Sequence, residues 1–468
     1  MNPLATAERN LTADPIPRLI RQLAIPASIG MFFNTMYNVV DTYYAGQLST
    51  DALAALSLTF PIYFTLLAMG MGFSTGATAL MGNALGRKDR AEAALTASQG
   101  LILSILLTVV VVVTGFLTAP SLFRLLGASD QYLQLCLDYI HVIFIGSGMT
   151  LFVFMFNGIL NSQGDTHSYR DYLIVATVAN ILLDPWFMYG GFGVPAMGVK
   201  GIAVATVLVQ VFGFFFLGWR ARRTGLLFRS NGARWTPDRR VLRAIIGQGV
   251  PASLNMMTVA LGIFIITYFL SEFGQKTVAA YGAATRIEQI VLLPALGLNV
   301  AALTLAAQNS GAGYFDRVRS TVRYALSYGA GVMVLGAAIV FFGAGPLMRL
   351  FSDDPEVVAI GTKYLRIAAF IEHAYIFLFI NTSLLQGLKK PAFALWIGLY
   401  RQLVMPPLLF YMATRVFDWG LTGIWWGIFA ITWSAALVAV FYAKATVDRM
   451  ARDNPRPAEA EAEEPAAT

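Results

Sequence analysis

An acidic residue, Asp41, stands within the first apolar stretch of the chain, in the run Asn-Thr-Met-Tyr-Asn-Val-Val-Asp-Thr-Tyr-Tyr at residues 34–44. The stretch covers residues 20–45, which is long enough to cross a bilayer as a helix. A carboxylate near the centre of such a helix costs at least about 2.5 kcal/mol, so an ionisable group there is a candidate for function. We therefore predict that Asp41 exchanges a proton or a sodium ion. The alternative is a solvated interfacial acid, because Tyr43 and Tyr44 beside it are typical of an aromatic belt.

A second polar motif, Asn-Ile-Leu-Leu-Asp-Pro, occupies residues 180–185. Asn180 and Asp184 are four residues apart, so on a helix they share one face. Their oxygen atoms suit a hard cation, and a carboxylate in a low-dielectric site also holds a proton more readily than in water. If Asp41 and Asp184 approach each other, repulsion favours a shared proton or a bound cation over two bare charges. Asp184 could instead merely cap a kink at Pro185.

The composition is that of a membrane protein. Of the 468 residues, 57% are hydrophobic and only 13% are charged, and the mean hydropathy is +0.63. A soluble chain of this length would need more charged surface. The net charge of +7 comes from short loops between apolar runs, so it indicates topology and not nucleic-acid binding.

About twelve apolar runs can span a membrane as helices, and they begin near Ile20, Ala54, Ala94, Gln134, Asp171, Gly201, Ala244, Ala279, Val322, Ala359, Ala392 and Leu421.

The connections between these runs alternate in charge. One set is basic and includes residues 87–90, the long linker at 220–243, and Lys389 with Lys390. By the positive-inside rule this set is cytoplasmic, which places both termini inside the plasma membrane, the inner membrane of a bacterium. The linker could alternatively bind a regulator.

The predicted segments are a cytoplasmic N-terminal segment (1–19), a six-helix lobe (20–219), a basic linker (220–243), a second six-helix lobe (244–445) and a disordered acidic tail (446–468) that contains Glu459, Glu461, Glu463 and Glu464.

The two halves of the chain are internal repeats. A shift of 225 residues places Pro26-Ala27-Ser28 on Pro251-Ala252-Ser253 and Thr42-Tyr43-Tyr44 on Thr267-Tyr268-Phe269, and almost the same register continues to the end of each half. A nearly constant register is much stronger evidence than any single match between apolar helices. Because each half has an even number of helices, the repeat is parallel about an axis along the membrane normal.

The repeat indicates which polar residues the scaffold itself does not require. Four polar positions of the first half have different residues in the second: Asp41 matches Ile266, Asn180 matches Arg401, Asp184 matches Met405 and Thr206 matches Ile428. The fold therefore tolerates apolar groups at three of these places. Oxygen-bearing groups retained in only one copy are better explained by chemistry than by packing.

These residues resemble the multidrug and toxic compound extrusion (MATE) family of secondary antiporters. The matching features are Tyr37-Asn-Val-Val-Asp41, Gln163-Gly164-Asp165, the motif at 180–185 and the stretch at 197–206. The resemblance implies two six-helix lobes that form a V, and alternating-access export of organic, often cationic, drugs driven by inward flow of protons or sodium. It also implies a cation site at Asp41, Asn180, Asp184 and Thr206, with Tyr37 and Asn157 nearby.

One departure concerns the branch of the family. NorM-like members carry acids in the seventh and tenth helices, whereas residues 252–261 here offer only Asn255 and Thr258, and the tenth helix offers Glu372 and His373. This pattern resembles the DinF-like branch more closely. The lack of an acid in the seventh helix also argues against a cation site in the second lobe.

Several polar and charged residues are candidates for lining a cavity: Tyr37 and Asn157 in the first half, and Asn255, Arg286, Glu288, Glu372 and His373 in the second. Arg286, Glu288 and Glu372 lie within apolar segments, where they would contact substrate or form a structural ion pair, with Arg401 either joining that network or extending to the interface. His373 is more often a hydrogen-bonded core histidine than a proton relay.

Other classes of function fit less well. An intramembrane enzyme would need a catalytic set, but the only histidines are His141, His167 and His373, without a His-Glu-x-x-His motif or a phosphate loop. A flippase for lipid-linked oligosaccharides is the alternative transporter, and about fourteen helices or an arginine-lined cavity would favour it. A passive channel would lack uphill efflux. We expect no cofactor besides the coupling ion, small organic molecules and membrane lipid as partners, and a monomer.

Overall fold

The computed structural model describes residues 10–454, and the regular secondary structure of this part of the chain is helical, apart from one isolated bridge between Gly191 and Val194. The described residues contain twelve helices that are long and apolar enough to cross a membrane, which confirms the predicted all-α architecture. The acidic residues Glu459 to Glu464 lie outside the described residues. The helices are α1 Ile16–Leu48, α2 Thr50–Gly86, α3 Arg90–Leu125, α4 Asp130–Ser162, α5 His167–Tyr189, α6 Val199–Arg223, α7 Arg239–Ser271, α8 Gln275–Gly311, α9 Phe315–Arg349, α10 Pro355–Gly387, α11 Ala392–Val416 and α12 Gly420–Asp453.

Several helices continue beyond the apolar runs that predict them. Helix α1 begins at Ile16, α7 begins at Arg239, and α12 ends at Asp453. Backbone hydrogen bonding continues into the polar flanks because arginine, leucine, methionine and alanine there favour helix, and Pro17 lies in the first turn of α1, where its missing N–H costs no bond. Side chains cap some starts: Asp89 accepts from the backbone N–H of Glu92, and Asp238 accepts from those of Arg240 and Val241.

Helix α11 is the least regular of the twelve. Two π-helical turns, Tyr400–Val404 and Met412–Val416, flank its middle segment. Pro406 and Pro407 lack backbone N–H groups, so the ordinary hydrogen-bond ladder is broken beside the first turn. Arg401 lies in that turn, and π-helical turns often occur at functional sites. The matching helix of the first lobe, α5, keeps α-helical geometry through Pro185 to Tyr189.

The two lobes, α1–α6 and α7–α12, meet through reciprocal contacts. Ser28 Oγ donates to the carbonyl oxygen of Pro294 at 3.4 Å, and Ser253 Oγ donates to that of Met69 at 3.4 Å. The shift of 225 residues relates Ser28 to Ser253 and Met69 to Pro294. The lobe interface therefore has the same internal two-fold symmetry as the sequence.

Glycines bring the lobes into close contact. A Cβ atom on Gly72 would overlap Ser253, and a Cβ atom on Gly297 would overlap Ser28. Among residues 10–454, the hydrogen bonds between the lobes lie in the helix halves nearest the basic connections; one example joins Gln308 Nε2 to the carbonyl oxygen of Ser162 at 2.7 Å. The lobes are thus held together at the basic end of the molecule.

Candidate functional site

Three helices of the first lobe bring the predicted polar residues together. The Asn180 side-chain nitrogen on α5 donates to Asp41 Oδ1 on α1 and, at 3.0 Å, to Asp184 Oδ2. Thr206 Oγ1 on α6 donates to the other oxygen of Asp41 at 3.4 Å. Asp41 is 5% exposed and the other three are fully buried. The structure therefore places all four predicted oxygen-bearing residues in one buried cluster.

Neighbouring contacts hold α1, α5 and α6 in this arrangement. Thr177 Oγ1 donates to the carbonyl oxygen of Phe33 at 2.9 Å, and the Tyr44 hydroxyl donates to that of Ile181 at 3.0 Å. At the start of α6, Gly201 lies against the backbone of Phe187, where a Cβ atom would come within 2.5 Å of the carbonyl oxygen. These contacts keep the carboxyl groups of Asp41 and Asp184 close together, although two charged carboxylates at this distance would repel each other.

Several buried oxygen atoms near the cluster lack a protein partner. Asn180 Oδ1 and Asp184 Oδ1 have no hydrogen-bond partner among residues 10–454, and neither does the hydroxyl of Tyr37, which lies one helical turn before Asp41. Most buried polar atoms in proteins are hydrogen-bonded, so such a group of oxygens is typical of a site that takes a ligand. Carboxylate, amide and hydroxyl oxygens are the donors that a hard cation prefers.

Asp41 also lines a cavity of about 270 Å³ between the lobes, which we call the Asp41 cavity. Most of its lining comes from the first lobe, including Asn38, Tyr63 and Tyr139, but Arg286 on α8 of the second lobe lines it as well. Arg286 has no ion pair or hydrogen bond among the described residues. Tyr37 lines a smaller neighbouring cavity of about 40 Å³.

The second lobe contains a cavity of about 160 Å³, which we call the Glu288 cavity. The Tyr364 hydroxyl contacts both oxygens of Glu288, at 3.1 and 3.2 Å. Arg401 Nη1 donates to the Tyr375 hydroxyl at 3.3 Å. The repeat equivalents of the first-lobe cluster, Ile266, Arg401 and Ile428, also line this cavity. The Glu288 cavity is thus the counterpart of the first-lobe site, with a different set of polar groups.

Of the two alternatives for Arg286, Glu288 and Glu372, the structural ion pair is not formed among the described residues. Glu288 bonds to Tyr364, Arg286 lines the Asp41 cavity, and both carboxyl oxygens of the fully buried Glu372 lack a hydrogen-bond partner among the described residues. Helix packing turns these three side chains in different directions, which their spacing in the sequence does not reveal.

The remaining candidates lie outside these three cavities. His373 Nδ1 lies 3.3 Å from the carbonyl oxygen of Ala369, one turn earlier on the same helix, as a core histidine would. Asn255 packs against Gly398 of α11. Asn157 is buried on α4, and its Oδ1 atom has no partner among the described residues.

Two tyrosines that line the Asp41 cavity were not among the sequence candidates. Tyr63 and Tyr139 are both buried. The repeat contains a signal for each, because Tyr139 matches Tyr364 and Tyr63 matches Glu288, and both of those residues line the Glu288 cavity. Positions that line a cavity in both lobes can therefore be found by comparing the halves.

Known proteins resemble this chain over most of its length. The probable multidrug resistance protein YoeA of Bacillus subtilis is 29% identical over 371 residues, which cover 78% of this chain and 79% of that protein. The FAD transporter of Shewanella oneidensis is 28% identical over 406 residues, with coverages of 85% and 88%. A solved outward-facing structure of a multidrug resistance MATE family transporter has a TM-score of 0.87 and 25% identity, and covers 96% of this chain and 99% of that one.

The family assignment rests on both lobes. The MatE family model matches residues 26–186 and again residues 251–411, so each half of the repeat carries the family pattern. The chain therefore belongs to the MatE family of multidrug efflux transporters, which are multi-pass membrane proteins and not enzymes.

Proposed function

We propose that the protein is a cation-coupled antiporter that exports organic compounds, with the coupling proton or sodium ion bound at Asp41, Asn180, Asp184 and Thr206. The observation that carries this proposal is the bridge from the Asn180 amide to two buried carboxyl groups. One amide can hold both acids close together, but it cannot neutralise them. A proton or a cation is therefore required for both acids to remain buried.

The Asn180 amide can serve the cluster in two orientations. In the structure its side-chain N–H group bonds to the carboxyl groups of Asp41 and Asp184. A half-turn of this amide would turn its oxygen toward the carboxyl groups, which would then offer an all-oxygen site to sodium. A proton shared between Asp41 and Asp184 needs no such rotation. Both ions use the same residues, and a gradient experiment distinguishes them.

The placement of the lobe contacts supports transport by alternating access. The lobes are joined at the basic end, and Asp41 lies in the half of α1 that extends away from it. If the basic connections are cytoplasmic, as the positive-inside rule predicts, this arrangement faces outward and both termini lie in the cytoplasm. We assign the protein to the plasma membrane, the bacterial inner membrane, as a monomer with lobes at residues 20–219 and 244–445.

The exported compound is a small organic molecule. The two relatives are named a probable multidrug resistance protein and an FAD transporter, and FAD is an aromatic organic molecule. Phe60, Tyr63 and Tyr139 provide aromatic surface for such a compound in the Asp41 cavity. Organic cations are included, as the family resemblance implies. A flippase is less well supported, because residues 10–454 contain twelve candidate membrane helices and not about fourteen.

Transport by purified protein in proteoliposomes tests the proposal. Vesicles loaded with ethidium or with FAD are given a sodium gradient alone or a proton gradient alone, and efflux is followed by fluorescence. We expect one gradient to drive uphill efflux of at least one compound, and Asp41→Asn to abolish it. The control is Asp51→Asn, which changes an exposed acid at the start of α2. Efflux that persists in Asp41→Asn, or that neither gradient drives, would overturn the proposal.

A further inference from the structure

An apolar groove lies on the first lobe and shares no lining residue with the Asp41 cavity. Its volume is about 660 Å³, and its walls come from α3, α4 and α6. Phe152 and Phe156 on α4 form the floor, between Ile105 on α3 and Phe215 on α6. Gly218 keeps the groove open, because a Cβ atom there would come within 3.2 Å of the Phe156 ring. Helices of this hydropathy face the hydrocarbon of the bilayer, so an acyl chain is the natural occupant of such a groove.

The groove ends at a group of basic and aromatic side chains. Arg222 lines this end, and its guanidinium lies 5.7 Å from the centre of the Phe228 ring. Arg223 lies 3.8 Å from the centre of the Trp219 ring. Neither arginine has an ion pair with an acid within residues 10–454. Tryptophan and arginine at the end of a membrane helix are typical of the headgroup level of the bilayer.

The linker that closes this end of the groove is held in place. The fully buried side chain of Gln99 donates to the carbonyl oxygens of Arg234, at 2.8 Å, and Thr236, at 3.0 Å, and accepts from the backbone N–H of Asp238 at 2.8 Å. Ser98 Oγ accepts from the backbone N–H of Arg234 at 3.0 Å. These bonds fix the segment that contributes Phe228 and Trp235 to the groove. The site is thus built by specific contacts and is more than a gap between helices.

We propose that this groove binds an anionic glycerophospholipid, with one acyl chain along Phe152 and Phe156 and the phosphate at Arg222. The apolar walls would accept the chain of any lipid, but unpaired guanidinium groups favour a headgroup with net negative charge. Arg229 and Arg234 of the linker add positive charge at the same end of the molecule. The basic linker then has a role beyond topology: it anchors the first lobe to anionic lipid. This inference is independent of the proposed transport function.

Tryptophan quenching by brominated lipids tests the site directly. The full-length protein is reconstituted in phosphatidylcholine vesicles that contain increasing fractions of brominated phosphatidylglycerol or, separately, brominated phosphatidylcholine. The signal of Trp219 and Trp235 is the difference between the wild-type protein and the Trp219→Phe/Trp235→Phe double variant. We expect half-maximal quenching of this signal at a mole fraction of phosphatidylglycerol at least threefold lower than that of phosphatidylcholine.

Two variants separate the headgroup from the chain. Arg222→Gln should remove the preference for phosphatidylglycerol. Arg366→Gln should retain it, because Arg366 lies on α10, over the Phe341 ring of α9 and away from the groove. Gly218→Leu should fill the groove and reduce quenching by both lipids. Equal quenching by the two lipids in the wild-type protein, or a preference that survives Arg222→Gln, would overturn the proposal even if Gly218→Leu blocks the groove. Unchanged thermal unfolding of each variant shows that the fold is intact.

Discussion

Arg286 on the second lobe and Asp41 on the first line one cavity of about 270 Å³. The oxygens of Asp41 accept from Asn180 and Thr206, whereas Arg286 has no ion pair or hydrogen bond in the part of the chain that the structure describes. The guanidinium charge is therefore not cancelled by a neighbouring acid. It contributes a positive potential at the cavity through which a coupling cation would reach Asp41.

Removal of this charge should strengthen cation binding. We expect Arg286→Gln to raise the apparent affinity for the coupling ion about two- to 17-fold, because two like charges on the order of 10 Å apart, a typical separation across a cavity of this kind, repel by roughly 0.4 to 1.7 kcal/mol at effective dielectric constants of about 80 to 20. The measurement is the ion dependence of efflux in proteoliposomes at low and high ionic strength, and added inert salt should reduce the effect. Arg366→Gln is the control. An affinity that is unchanged or lower in Arg286→Gln would contradict this electrostatic role.

The Asn180 amide should contribute to stability mainly when no cation is bound. Asn180→Ala removes both hydrogen bonds and leaves two buried carboxyl groups side by side, which should cost about 3 to 5 kcal/mol. We expect a lower thermal unfolding temperature at alkaline pH without sodium, and partial recovery with the coupling cation or at acidic pH, where protonation removes the repulsion.

The matched control for this prediction is Asn38→Ala. The Asn38 side chain donates to the carbonyl oxygen of Asn34 within α1 and does not bridge carboxyl groups. Its removal should change the unfolding temperature little, and equally at all pH values and sodium concentrations. If Asn180→Ala showed the same flat dependence, the amide would not be holding two ionisable acids together.

The reciprocal glycine contacts should set the distance between the lobes at the basic end. A side chain on Gly72 or on Gly297 would overlap a serine of the opposite lobe, so Gly72→Val and Gly297→Val should each push the lobes apart. The two variants should act in the same direction and to a similar extent, because the repeat makes the two contacts equivalent. Double electron–electron resonance between spin labels on α2 and α8 would measure the separation.

Gly331→Val provides the comparison for the interface variants. This glycine lies on α9 with open space around it, so added volume meets no other atom. We expect the inter-lobe distance of Gly331→Val to match that of the unsubstituted protein. Unchanged distances in both Gly72→Val and Gly297→Val would show that the lobes adjust without separating.

Much of the first-lobe cluster was predictable from the sequence because its parts are local. Asn180 and Asp184 share a helix face by their spacing, and Asp41 stands out as an acid in an apolar stretch. Thr206 entered through the family resemblance and the comparison of the halves. The hydrogen bonds that join these residues across α1, α5 and α6 needed the structure.

The second lobe was harder to predict because its charges are arranged by tertiary packing. Arg286 and Glu288 are close in sequence, but they line different cavities, since successive positions on a helix point in different directions. The π-helical turn that contains Arg401 is likewise not visible as a pattern of apolar residues. The spacing of residues along one helix therefore predicted pairs within that helix. It could not predict contacts between the lobes or between helices that are distant in sequence.

Two buried glutamates of the second lobe should respond to substitution with opposite signs. Glu372 has no hydrogen-bond partner for either carboxyl oxygen among the described residues, so Glu372→Leu removes an unsatisfied polar group and should stabilise the protein by about 1 to 3 kcal/mol. Glu288 accepts from Tyr364, so Glu288→Leu leaves a buried hydroxyl without its partner and should destabilise by about 1 to 3 kcal/mol. Thermal unfolding of the two purified variants under one set of conditions gives the comparison. A loss of stability in Glu372→Leu equal to that in Glu288→Leu would show that the Glu372 carboxyl group has a stabilising partner after all.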